Sequence, residues 1–266
     1  MGKLADTGRV FYGIALTAMG IQTITDQDFP YMLIPQGHDW INGHLVVVDV
    51  SGGLLILAGL LLIAGWYIKI ISLFLGTLLG LIFCFYFVPY EFLFSPAYRS
   101  FGDWENAAKE LALAGGAFAV CRRFCLPTNY PASRFWEKLM AAGLVFFPLA
   151  IISFGLDHLL YANYAQAYIP AWIPWHLFWI YLTGTALVCS GIAIIFRIRP
   201  RLFATLLGSM IFIWILILHI PKVMAAPVDE RAGELTSALI ALAYCGTAYI
   251  FSELTYPSDQ RLTGTI

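Results

Sequence analysis

Four side chains in the second half of this 266-residue chain, Asp157, His158, His176 and His219, are of the types that act as general acids and bases, and histidine exchanges its proton near neutral pH. Asp157 and His158 close the apolar run 137–160, His176 opens the run 174–196, and His219 stands near the end of the run 199–221. Converged on one cavity, they would form a proton-handling site for a small ligand such as a quinone, whose reduction moves protons with electrons. Three histidines and an aspartate also invite a metal reading, but they lack any local ligand spacing, and no metal is assigned. A second set, Asp49 and Lys109, lies inside apolar runs, where ionisable groups are costly and need partners. Asp49 sits roughly 10 Å and Lys109 roughly 8 Å in from the start of its helix. At the corresponding positions of the second half stand Tyr181 and Leu239, so both charges are missing together. A buried Asp49–Lys109 ion pair is therefore expected, with Glu105, four residues before Lys109, as the competing partner. His44, Glu105 and Glu110 fall on the same side of the chain's apolar layer as these groups.

The elements that must position these residues are hydrophobic helices. The chain is 60% hydrophobic and only 12% charged, with a mean hydropathy of +0.78. Charges this sparse cannot coat a water-facing surface, and the lipid bilayer is the expected surrounding. A net charge of −1 offers nothing to a nucleic acid. Helices of about 20 apolar residues cross a bilayer, and eight candidates fit: 8–25, 42–66, 68–89, 104–121, 137–160, 174–196, 199–221 and 231–252. The first resembles a signal peptide behind Lys3 and Arg9, but the second half has an equivalent run that cannot be one.

The intervals repeat. Gly20 to Pro35 and Gly155 to Pro170 are both fifteen residues, and Gly59 to Gly76 and Gly191 to Gly208 are both seventeen. Gly76 to Pro89 matches Gly208 to Pro221 at thirteen, and His44 and His176 each precede a glycine, Gly52 or Gly184, by eight. The expected fold is all-α, a polytopic membrane protein of eight transmembrane helices in two parallel-repeat four-helix bundles. The first unit is 1–121, the linker 122–136, the second unit 137–256 and the tail 257–266. One side then holds Lys3, Arg9, Lys69, Arg122, Arg123, Arg134, Lys138, Arg197, Arg199, Arg201 and Arg261, and the other only Arg99, Lys222 and Arg231. The excess of positive charge puts both termini in the cytosol. Cys121 and Cys125 are too poor in neighbouring ligands for a zinc set.

The Gly155-Leu156-Asp157-His158 end of the fifth run, the loop Tyr168-Ile169-Pro170, the glycine-rich second helix of each unit and the segment Trp104 to Leu111 together resemble the DoxX family, in duplicated form. The likeness covers about residues 8–120 and 138–252. It implies a bacterial cytoplasmic (inner) membrane location. It also implies a redox association with a quinone or small sulfur compound, served by a soluble or membrane redox partner. Three readings stay open: a redox-associated membrane subunit, a non-catalytic anchor or assembly protein, and a small-solute transporter. Whether the chain is itself an enzyme is open among them.

Overall fold

The computed structural model describes residues 2–30, 45–95, 100–124 and 134–254. His44, Pro35, Arg99, Cys125, most of the 122–136 linker and the 257–266 tail lie outside the described residues. Within them the chain is helical throughout, with no strand. Eight long helices follow in order: α1 (Lys3–Asp26), α2 (Leu45–Ala64), α3 (Ile68–Leu93), α4 (Glu105–Phe124), α5 (Arg134–Leu160), α6 (His176–Ile195), α7 (Pro200–Ala225) and α8 (Arg231–Phe251).

Six of these, α2, α3, α5, α6, α7 and α8, are long and apolar enough to cross a membrane. Helix α1 has 24 residues and α4 has 20, so both are as long but less apolar. For α4 the environment accounts for the difference. Most of α4 is buried, through a run of small residues from Ala112 to Ala119 interrupted by Leu113 and Phe118, and α1 buries Tyr12, Leu16 and Met19 completely or nearly so. A helix enclosed by other helices does not need a lipid-compatible surface. The rim helices do, and they expose Leu54, Leu57, Phe74, Phe85, Leu206 and Ile213.

The two halves are interleaved in one core. α1 packs on α2 and on α8, and α5 packs on α6 and on α4. The first helix of each half thus lies against the second helix of its own half and the fourth helix of the other. α4 and α8 also touch each other. Tyr12, Leu16, Leu62 and Leu113 of the first half and Phe147, Ile151, Leu207 and Phe251 of the second belong to the same buried cluster.

Glycine sets the closest approaches. A Cβ on Gly20 would lie 2.5 Å from the Gly52 carbonyl oxygen, and one on Gly155 would lie 2.7 Å from that of Gly184. A Cβ on Gly59 would likewise lie 2.5 Å from the Gly13 carbonyl oxygen, and one on Gly191 would lie 2.7 Å from that of Pro148. Such backbone contact lets helices gain dispersion energy where lipid gives no hydrophobic drive. α3 and α7 share another detail: each contains a π turn, Phe83–Phe87 and Ile215–His219, beginning seven residues after Gly76 and Gly208 respectively. A proline follows each turn, Pro89 or Pro221.

The end of the bundle holding the start of α1 and the finish of α4 and α8 is tied by charge. Arg123 Nη2 lies 3.4 Å from Glu253 Oε2, and the Ala5 N–H donates to the same oxygen at 3.3 Å. The Glu253 carboxylate therefore caps the amino end of α1, where anions are favoured. The Arg9 guanidinium donates to the carbonyls of Leu62 and Ile63 at the carboxyl end of α2, the matching arrangement for a cation.

Candidate functional site

The opposite end collects the polar side chains. α4 starts there after a 3-10 turn, Phe101–Trp104, and presents Glu105, Asn106 and Lys109 on successive turns of one face. Lys109 Nζ lies 2.8 Å from Glu105 Oε1 and donates to Asn106 Oδ1 at 3.2 Å. The expected Asp49–Lys109 pair is not formed. Asp49 is exposed on α2 and accepts a hydrogen bond from Gln27 Nε2 at 3.2 Å. Two physical reasons favour this outcome. α2 packs on α1 rather than on α4, and a Glu four residues before a Lys on one helix meets it at little entropic cost. The joint absence of both charges from the second half did not signal a contact between them.

Asp157 stands one turn from the end of α5. Both its carboxyl oxygens are shielded from solvent and have no hydrogen-bond partner among the described residues, and Glu105 and Lys109 act on it electrostatically. Gly102, in the turn before α4, closes over it: a Cβ there would lie 4.0 Å from Asp157 Oδ1 and 3.5 Å from the Tyr161 ring. His158 packs where Gly184 of α6 leaves room, its own Cβ 2.9 Å from the place a Gly184 Cβ would take. Its Nδ1 lies 2.7 Å from the Phe154 carbonyl oxygen. A carbonyl only accepts, so Nδ1 carries the proton and the neutral ring offers Nε2 as an acceptor.

His176 and His219 lie on the next two helices, α6 and α7. His176 is half-buried at the first position of α6, about 12 Å of helix from Gly184, where His158 sits. His219 ends the π turn of α7, with Nδ1 shielded and without a partner, and Glu234 and Lys222 act on it. Lys222 Nζ pairs with Glu234 Oε1 at 3.1 Å and lies 4.3 Å from the centre of the Tyr168 ring.

Tyr168 joins the two groups. It closes the short 3-10 turn Gln166–Tyr168 after α5, and both Glu105 and Glu234 act on it electrostatically. Its hydroxyl lies 3.1 Å from that of Tyr164. That hydrogen bond, backed by burial, pushes the Tyr168 phenol up to about 12. The arrangement is a polar rim at this end of the bundle. Asp157 and His158 face Glu105 and Lys109, His219 faces Lys222 and Glu234, and Tyr168 lies between.

Glu234, Lys222 and Tyr168 were not legible as site residues. The Lys222–Glu234 pair spans α7 and α8 with no motif, and the only hint was that α8 begins with acidic residues. Among the described residues no three His, Cys, Asp or Glu side chains group as a metal would need. What the rim offers chemically is a carboxyl without a partner, an ammonium, an imidazole acceptor and several phenols, held at the edge of an apolar bundle. Neither a family model, nor a curated protein, nor a solved structure matches the chain.

Proposed function

We propose that the chain is an eight-span integral membrane protein, a duplicated relative of the DoxX family, with two parallel four-helix units and both termini in the cytosol of a bacterial cell. It works in the inner membrane as the membrane subunit of a redox system and presents a quinone-like ligand to the polar rim. The spans include α1 and α4, whose enclosed positions excuse their lower hydropathy. The two-unit reading is supported by the matched helix partners, the matched glycine contacts and the matched π turns.

The topology has a direct test. In a variant stripped of native cysteines, single cysteines are placed at Lys3 and at Gln166 and challenged with an impermeant maleimide in intact cells. Labelling at position 166 and not at position 3 is expected. The reverse pattern would sink the orientation, and equal labelling of both would sink the span count.

One observation carries the ligand reading: among the described residues the Asp157 carboxyl is shielded and without a hydrogen-bond partner, beside the Lys109–Glu105 pair. Buried polar groups are ordinarily satisfied, and a ligand carbonyl or hydroxyl is a natural complement. A quinone reduced to a quinol takes two electrons and two protons. Asp157, Lys109 and His158 are the chain's groups for holding its oxygens and passing protons. The electrons come from a redox partner protein, since no haem pair, iron–sulfur motif or dithiol is evident in the sequence.

The test is quinone content and binding in lipid nanodiscs. Wild-type protein should retain extractable quinone and be stabilised thermally by a short-chain quinone analogue. Asp157→Asn should weaken that binding about tenfold or more, the loss expected for a charge-assisted hydrogen bond. Protein that retains no quinone and is not stabilised by the analogue would end the redox reading and leave an anchor or assembly role. Stabilisation by a small polar solute instead would favour a transporter.

A further inference from the structure

Glu110 takes no part in the rim. It lies five residues past Glu105 on α4, about 8 Å deeper along the helix, and none of its surface is exposed. Neither carboxyl oxygen has a hydrogen-bond partner among the described residues. The titratable groups on the helices around it include Tyr12 of α1, Glu91 of α3, Asp157 of α5, Tyr244 and Glu234 of α8, and Glu105 and Lys109 of its own helix. None hydrogen-bonds to it. The Tyr12 phenol is near enough to feel its charge, but its hydroxyl donates to the Leu113 carbonyl at 2.7 Å. Tyr244 likewise donates to the Lys109 carbonyl at 3.0 Å. The Lys109 ammonium is held by Glu105.

An ionised carboxylate enclosed with neither a donor nor a cation is among the least favourable arrangements in a protein, and burial selects the neutral acid. The neutral acid without hydrogen bonds adds nothing to packing that a leucine or methionine would not supply, so its presence at the α1–α4–α8 contact calls for another reason. What a carboxyl does there and an aliphatic side chain does not is bind a proton. We propose that Glu110 is a proton-binding site in the interior of the bundle, exchanging its proton with the polar rim one and a half turns above.

The assignment is tested with dicyclohexylcarbodiimide, an apolar reagent that needs a protonated carboxyl. The acid proton passes to a carbodiimide nitrogen, the carboxylate oxygen bonds to the central carbon, and the adduct rearranges to a stable acylurea. The full chain in nanodiscs is treated and the adduct located by peptide mass spectrometry. The expected result is one dominant adduct on Glu110, formed by the apolar reagent and not by a water-soluble carbodiimide. Glu110→Gln should lose it, together with a carboxylic acid carbonyl band in the infrared spectrum. The primary readout is on wild-type protein, so it does not depend on how well the variant folds. Absence of an adduct at Glu110, or adducts only at the exposed carboxylates, overturns the proposal. The readout needs no quinone, so its failure and that of the quinone site are separate results.

Discussion

Gly8→Val is expected to be the most damaging single substitution in the chain. Gly8 of α1 faces Gly246 of α8 so closely that a Cβ would collide with the Gly246 carbonyl oxygen, and Ile250 N would lie only 3.1 Å away. The obstacle is backbone, which cannot rotate aside as a side chain can. Valine must therefore push α1 off α8, and α1 carries Tyr12, Leu16 and Met19 of the shared core with it. Overpacking of a well-filled interior costs about 1–3 kcal/mol and more where nothing yields, so a loss of about 3 kcal/mol or a failure to fold is expected. Gly53→Ala is the contrast: nothing lies within 4 Å of its Cβ position. There the change should stabilise α2 by about 0.5–1 kcal/mol, the propensity difference alone. Unfolding in mixed detergent–SDS micelles, followed by circular dichroism, checks both. A Gly8→Val protein as stable as Gly53→Ala would refute the α1–α8 contact.

Arg123→Met is expected to destabilise almost as strongly. The ion pair it breaks has side chains only 22% and 11% exposed, on Arg123 and Glu253 respectively. Removing one partner of an enclosed pair leaves a charge without compensation, a loss of about 3–5 kcal/mol. The Ala5 N–H, which also serves the Glu253 carboxylate, keeps the expected value near the lower figure. The double variant Arg123→Met/Glu253→Gln should recover much of the loss, because no orphaned charge remains. A double-mutant cycle in the same unfolding assay measures the coupling. Strictly additive effects would mean that the pair contributes nothing. Both residues stand seven positions after a glycine, Gly116 or Gly246, so on the proposed two-unit reading they would be equivalent places carrying opposite charges.

The helices were readable from the sequence because bilayer-length apolar runs are the strongest signal a chain can carry. The rim helices α2, α3, α6 and α7 announced themselves in this way. α1 and α4 did so less, being as long but less apolar. The repeated intervals singled out Gly20, Gly52, Gly155 and Gly184, the glycines at which α1 meets α2 and α5 meets α6. Which helices share faces was not legible. Nothing in hydropathy says that α1 lies on α8 or that α5 lies on α4, and for the same reason the sequence points Lys109 to Asp49 when its partner is Glu105. The candidate residues Asp157, His158 and His219 were legible as residue types near the ends of apolar runs. The grouping was not legible, because pairs such as Lys222 with Glu234 form between helices that no local spacing connects. Glu110 was visible as a charge in an apolar run, but its isolation only becomes apparent once the neighbours' hydroxyls are seen to be engaged.

The π turns in α3 and α7 carry a history. A π turn holds one residue more than an α turn, so in lineage terms it is the scar of a single-codon insertion. The π turns at Phe83–Phe87 and Ile215–His219 lie equally far from Gly76 and Gly208, which the proposed two-unit reading would explain by one event inherited twice. On the two-unit reading, the ancestor therefore acquired its extra residue while it was still a single four-helix protein. By the same reckoning the last residue of the turn diverged afterwards, since one descendant half has Phe87 there and the other has His219. The titratable group in the second half is then an innovation placed on a bend that was already old.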